Sequence, residues 1–429
     1  MLNGNIDYIP RLIDSVIERH LQAFGAIEIA GTMWSGKTCT SKAHSKSLAN
    51  FDERQTRELA QLSPGAVLAG EKPRVIDEWQ EVPSIWDEIR RKVDEAGNQK
   101  GLYILTGSSR PSKESVRHSG SGRISRLRMW PMTLSESGHS SSAVSLAGLF
   151  DGEFEPGSCE TDLNSIASLI CRGGWPAALN LSDNLAELIP TQYLDTLFAS
   201  EDQKAPEDGS EQRRFLQSVS RNTGSAVTID TLVKDMGYYA EAKITDAGRR
   251  RVKNLLSYFA DRFVIDPLSG WDAPVKSPQR VRTKPRYYFA DPSLATALLG
   301  MNPNSLLSNM QVFGQLFEQL CIRDLHAYVA TMENADSDAL KYYRDADGLE
   351  VDAIIELRDK RWAGIEIKLG SNKVDVAENN LLRLKAKIAA NGAARNLEPS
   401  FLMVLVGVGK YVYQLPSGVY VVPISCLGA

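Results

Sequence analysis

Short apolar runs alternate with polar, helix-compatible stretches over the first 130 residues. "AIEIAG" alternates apolar and polar positions and predicts a strand ending at Gly31. The following "KTCTSKAHSKSLANF" lacks proline and glycine and predicts a helix. Val75 and Ile76 lead into a second strand within "PRVIDEWQEVP", and "GLYILTGSS" predicts a third. Strands alternating with helices imply an α/β domain, a parallel sheet flanked by helices.

Further on the pattern changes. Residues 137–162 are rich in Ser, Gly and acidic residues and predict a linker, and "DQKAPEDGSEQ" (202–212) is a second polar break. "RRFLQSVSRNTGS", "TIDTLVKDMG" and "TDAGRRRVKNLLSYFADRFVI" predict three helices, the second capped by Thr or Asp and the third running into a strand. "VKSPQRVRTKPRYYFAD" then adds a basic, alternating segment and a returning strand. Three helices followed by a two-stranded wing is the order of a winged helix. Near the C-terminus "EVDAIIEL" and "RWAGIEIK" predict a hairpin around "RDK", preceded by the helix "FGQLFEQLCIRDL". The expected parts are 1–140, an α/β domain; 141–210, linker and helical segment; 211–298, winged helix; and 305–429, a small α/β domain. No internal repeat is present.

Composition narrows this little. A chain of 429 residues suggests two to four domains, and no apolar run approaches the ~20 residues a bilayer requires. "MLNGNIDYIPRLID" carries no export-signal pattern, and five scattered cysteines fit neither a disulfide framework nor a zinc site, so a reducing cytoplasm is expected. The net charge of −4 means that DNA contact must rest on a local basic patch.

The sharpest signal is "GTMWSGKTCT" (31–40). Gly31 and Gly36 would let backbone N–H groups close on the β- and γ-phosphates, Lys37 would reach the same oxygens, and Thr38 would place its hydroxyl on Mg²⁺. Ser35 and Cys39 flank them as further nucleotide-binding positions. The alternative is a glycine turn with an exposed lysine. About forty residues on, Asp77 would hold Mg²⁺ and Glu78 would orient or deprotonate the attacking water. Thr106, Ser108 and Ser109 end the third strand, where ligands of parallel sheets sit, and are candidates to sense the γ-phosphate. ATP and Mg²⁺ are the expected ligands, and ATP hydrolysis the expected activity.

"YIPR", "GTMWSGKT", "RVIDEWQEVP", "YILTGSS" and "SGRISRLRMWPMTLSE", in that order, resemble a prokaryotic family of AAA-type ATPases with a C-terminal half of unknown function. The resemblance runs over nearly the whole chain. It implies a P-loop AAA-type domain and an arginine after glycine, here Arg123, which would complete a neighbouring subunit's site in a homo-oligomer. Arg126 and Arg128 compete for that role, and a surface ion pair is the alternative. Trp34 inside the loop departs from the usual pattern without touching Gly36, Lys37 or Thr38.

Two constellations remain. Arg249, Arg250, Arg251 and Lys253 lie near the start of the third predicted helix, and Lys276, Arg280, Arg282, Lys284 and Arg286 follow in the wing. If about six of these met phosphates, log K would fall against log salt with a slope of roughly −5. Protein docking is the competing use of such a module. In the hairpin, positions equidistant from Asp359 face each other, which sets Asp352 against Glu366, with Lys368 on the same face. Two acids that close call for a cation. The arrangement resembles the PD-(D/E)XK nuclease core, in which Asp352 and Glu366 would hold Mg²⁺, Glu318 would join from the preceding helix, and Lys368 would act on water. Glu350 is a rival ligand, and a one-residue slip would turn Asp352 to the other face. The leading expectation is an ATPase whose nucleotide state changes how its C-terminal half engages DNA. The rivals are a nucleotide-gated switch that binds a protein, and a metal-dependent endonuclease.

Overall fold

The structure is a computed structural model that describes residues 8–97, 99–110, 120–199, 209–240, 243–271, 284–390 and 398–429. Contacts divide the chain into two compact units, Met1–Pro131 with Asp261–Phe263, and Met132–Ala260 with Val264–Ala429. The three later parts expected from sequence thus lie almost entirely within the second unit.

In the first unit α1 (Asp14–Ala23) precedes β1 (Ala26–Ala30), α2 (Lys37–Ala43) and β2 (Ser47–Asn50). Then come α3 (Arg54–Leu62), α4 (Pro64–Val67), β3 (Arg74–Asp77), α5 (Ile85–Glu95), β4 (Tyr103–Gly107) and β5 (Ile124–Arg128). The five strands are parallel in the order β2-β3-β4-β1-β5. Successive residues of a strand face opposite ways. Ile27, Ile29, Val75 and Ile104 accordingly pack with Val16 and Ile17 of α1. Ala26, Ile76 and Leu105 pack on the other face with Trp86 and Ile89 of α5. Both faces are covered, as a parallel sheet requires.

The helix expected over residues 37–51 stops at Ala43, and Ser47–Asn50 forms an edge strand whose Asn50 pairs with Asp77. Only Ala49 of that strand is buried, so its sequence carries little strand periodicity.

The second unit opens with β6 (Val144–Ser145), α6 (Leu146–Phe150), α7 (Leu163–Arg172), α8 (Asp183–Ala186) and α9 (Leu188–Ala199). Three helices follow, α10 (Gly209–Arg221), α11 (Ile229–Asp235) and α12 (Asp246–Asp261), with a small pair β7 (Tyr239–Ala240) and β8 (Lys243–Ile244) before the last. The Thr228 side chain caps α11 by accepting from Thr231 N. β9 (Ile265–Leu268) and β10 (Arg286–Phe289) pair antiparallel. Beyond α13 (Pro292–Leu299), α14 (Pro303–Leu307) and the 22-residue α15 (Met310–Thr331) lie β11 (Leu340–Arg344), β12 (Glu350–Glu356), β13 (Trp362–Lys368), α16 (Val374–Ala389), β14 (Phe401–Val406), β15 (Tyr413–Gln414) and β16 (Tyr420–Pro423). These strands form one mixed sheet, β11-β12-β13-β14-β16-β15. Its core joins Val351, Ile354, Trp362, Leu402 and Val404 to Leu381 and Leu384 of α16. Gly364 lies where an added Cβ would stand 3.1 Å from Leu402 and 3.4 Å from Leu381, so helix and sheet approach closely there.

Two sulfur atoms correct an expectation. Cys159 and Cys426, 267 residues apart in sequence, are disulfide-bonded. A pairing that distant leaves no spacing signature, which is why the cysteines read as unpaired. Among the described residues no helix is long and apolar enough to cross a membrane.

Candidate functional site

The loop after β1 is held from several sides. An added Cβ on Gly31 would stand 2.2 Å from the Met129 carbonyl oxygen, so only glycine fits there. Gly36 takes φ +98°, a left-handed conformation that other residues avoid, and turns the chain into α2. Ser35 Oγ donates to Thr32 O (2.9 Å) and Lys37 Nζ to the same oxygen (2.8 Å). The buried Arg11 guanidinium donates to Ser35 O (2.8 Å) and Trp130 O (2.9 Å), tying the loop to the end of β5. Arg11 is the arginine of "YIPR", whose role no local pattern discloses.

Thr38 meets the acids. Its Oγ1 donates to Asp77 Oδ1 (3.0 Å) and Oδ2 (3.1 Å). The Thr106 hydroxyl donates to Asp77 Oδ1 as well, and its oxygen accepts from the Glu78 backbone N–H (3.3 Å). β4 lies between β1 and β3, so Thr106 and Ser108 stand between the loop and the acids. Glu78 sits at φ +53°, bending the chain just past the strand. Its carboxylate accepts from Ser108 Oγ (3.1 Å) and from the Gln80 amide. Sequence reasoning missed Gln80; its place two residues past Glu78 was the available signal.

Electrostatics follow from burial. Lys37 is pushed down from 10.5 to about 8, by burial first and against the pull of Glu78 and Asp77. Burial raises Asp77, against hydrogen bonds from Thr106 and Thr38 that favour its charged form. A hydroxyl and a carboxylate 3.0 Å apart are the hard oxygen donors that suit Mg²⁺, so these residues fit the ion that accompanies a nucleotide. The Cys39 side chain is exposed, just inside α2.

The three arginines separate. Arg123 precedes β5, at the end opposite the phosphate loop, where Nε donates to Asp94 Oδ1 (2.8 Å). Arg126 pairs with Glu28 (3.2 Å) and lies over the Trp86 ring. Arg128 ends β5 beside Ala30, stacked 3.6 Å from the Trp130 ring centroid.

In the second unit β12 and β13 pair with Ala353 opposite Ile365 and Ile354 opposite Gly364. These pairs centre the hairpin on Asp359, and one step further brings Asp352 to Glu366. Lys368 Nζ bridges them, donating to Asp352 Oδ2 (3.1 Å) and to Glu366. Glu318 of α15 is joined to this group by Arg286 of β10, whose NH1 lies 3.3 Å from Glu318 and 3.7 Å from Asp352, and whose NH2 donates to Glu350 (2.8 Å). All four expected residues are neighbours, and the acids among them face protein cations. Among the described residues no group of three or more His, Cys, Asp or Glu could hold a metal. Asp352 and Glu366, expected to hold Mg²⁺, both accept from Lys368. The sequence places Arg286 in a basic wing, and only the fold brings it to acids 32 and 64 residues further on.

The other basic residues are partly spoken for. Arg249 pairs with Asp230 (2.7 Å) and Asp246 (3.0 Å), and Arg251 with Glu211 (2.7 Å). Arg250, Lys253 and Lys284 are exposed, whereas Lys276, Arg280 and Arg282 lie outside the described residues.

Residues 24–138 match the family model of an AAA domain. Residues 163–305 and 313–427 match two domains of unknown function, DUF8612 and DUF4143. The chain therefore carries an AAA-type ATPase domain followed by segments with no assigned role. Among solved structures it is similar to a Walker-type ATPase of Pyrococcus abyssi, at 12% identity over 67% of this chain and 94% of the other, with a TM-score of 0.41. It is also similar to the ORC1 protein of Aeropyrum pernix in complex with DNA, at 12% identity over 71% and 97%, with a TM-score of 0.26. At such scores neither carries residue roles across. No curated protein matches the chain.

Proposed function

We propose that the protein is an Mg²⁺-dependent ATP hydrolase whose nucleotide state governs how its C-terminal half engages DNA. The observation that carries the hydrolase reading is the contact of Thr38 Oγ1 with Asp77, which joins the phosphate loop to the acid pair. Lys37 is buried with, among the described residues, only a backbone carbonyl as hydrogen-bond acceptor, so it is ready to exchange that oxygen for a phosphate's. Thr38 and Asp77 would hold magnesium, which supplies positive charge against the phosphates. Glu78, hydrogen-bonded by Ser108 and Gln80, would take a proton from water. Arg123 lies at the far end of its own sheet, so it would serve only a neighbouring copy's site.

For DNA, exposed Arg250, Lys253 and Lys284 are the contacts favoured here, because Arg249 and Arg251 already hold carboxylates. Three phosphate contacts give a log–log salt slope of about −3. That internal pairing also favours a second reading, in which the same helices dock a protein partner. DNA binding with ATP, ADP or no nucleotide at two salt concentrations separates them. Nucleotide-dependent, salt-sensitive binding supports the first reading. Tight nucleotide retention without any effect of DNA supports the second.

A further inference from the structure

The acid cluster of the second unit raises a question separate from ATP hydrolysis: what balances it? Glu318, Glu350, Asp352 and Glu366 come from one helix and two strands of the same unit. Glu318 Oε1 accepts from Tyr288 (2.6 Å) and Arg286 (3.3 Å). Glu350 accepts from Arg286 (2.8 Å) and Arg344 (3.1 Å). Asp352 Oδ2 accepts from Ile367 N (2.9 Å) and Lys368 (3.1 Å), and Glu366 from Asn380 (3.1 Å) and Lys368. The Arg286 side chain is 4% exposed. Beside it, an added Cβ on Gly224 would stand 3.2 Å from Glu318 Oε1, so backbone closes that side.

Hard divalent cations need several carboxylate or water oxygens directed at one point. Here the oxygens are directed at a planar guanidinium and an ammonium. A guanidinium stays charged at any pH the protein meets and presents its donors in a fixed fork, so it satisfies several carboxylates at once. We infer that Arg286 is the resident cation of this cluster, occupying by guanidinium the place a divalent metal would take, so that the C-terminal domain engages its partner without metal-dependent cleavage. The inference is independent of the hydrolase reading, since it concerns only side chains of the second unit.

The test is Mn²⁺ titration by calorimetry of the full chain carrying Asp77→Asn, which removes the nucleotide-site acid from the measurement. With Arg286 intact no saturable Mn²⁺ binding is expected, and supercoiled DNA incubated with Mn²⁺ stays unnicked. Adding Arg286→Gln should create a saturable site at least ~10-fold tighter than any residual binding, lost again with Asp352→Asn. Arg286→Lys keeps a cation and should bind none. Saturable binding in the Arg286-intact protein that Asp352→Asn abolishes, or nicking that Lys368→Ala abolishes, overturns the inference. A folded Arg286→Gln protein that takes no Mn²⁺ also overturns it. Should Arg286→Gln fail to fold, the Arg286-intact titration decides alone.

Discussion

The phosphate loop and the C-terminal cluster use the same vocabulary of a lysine among acids, and they treat it in opposite ways. Lys37 donates to a backbone carbonyl, and the side-chain partners of Asp77 are hydroxyls. Lys368 donates to two carboxylates, and Glu318 faces a guanidinium. Titration behaviour follows: Lys37 is pushed down to about 8 by burial, whereas Asp352 and Glu366 overcome burial and raise Lys368. A site built for an ionic ligand keeps its charges on neutral partners that can be displaced. A structural network spends them on each other. The difference is readable in which atoms a lysine touches, not in how many acids stand near it.

The comparison breaks most visibly at Lys37. Lys37→Ala should abolish nucleotide binding in a fluorescent-nucleotide titration, and retained affinity would end the case for the loop. Glu78→Gln should leave binding intact and lower the hydrolysis rate by about 10²–10⁴-fold, the range for losing a positioned general base. In the second unit, Arg286→Ala should cost about 1–3 kcal/mol in denaturant unfolding, because it removes a buried guanidinium and leaves the half-buried Glu318 and Asp352 without it. Pairing it with Glu318→Gln should recover part of that loss, as coupled sites do. Smaller is a pH effect. Raising pH through about 8 removes the charge on Lys37, so nucleotide affinity should fall above that value, with proton uptake on binding near it, measurable by calorimetry in buffers of different ionisation enthalpy. Stability of the ligand-free protein carries the opposite sign. Between about 8 and the ordinary 10.5 the unfolded chain binds the extra proton, so this residue's contribution rises with pH.

Much of the first unit was legible because its signals are local. The α/β class with a parallel, helix-covered sheet is what the strand and helix alternation implied. Strand β2 was not, since an edge strand with one buried residue shows no periodicity and the helix before it has no glycine or proline stop. The hairpin register about Asp359 followed from symmetry alone, yet the occupant of the cluster did not. Arg286 reads as one more basic residue in an alternating run, and nothing in that run tells of Glu318 or Glu350. Arg11 and Gln80 were hidden likewise, because each acts through a backbone or side-chain oxygen that sequence spacing does not specify. Long-range pairing, as with Cys159 and Cys426, is set by the tertiary path and has no local trace.

Gly31 rests against the Met129 carbonyl, so the start of the phosphate loop is located by main chain meeting main chain. At its crown Trp34 stands 40% exposed, in a conformation that bulky residues seldom adopt. Even a methyl group at Gly31 would wedge the ends of the first and fifth strands apart.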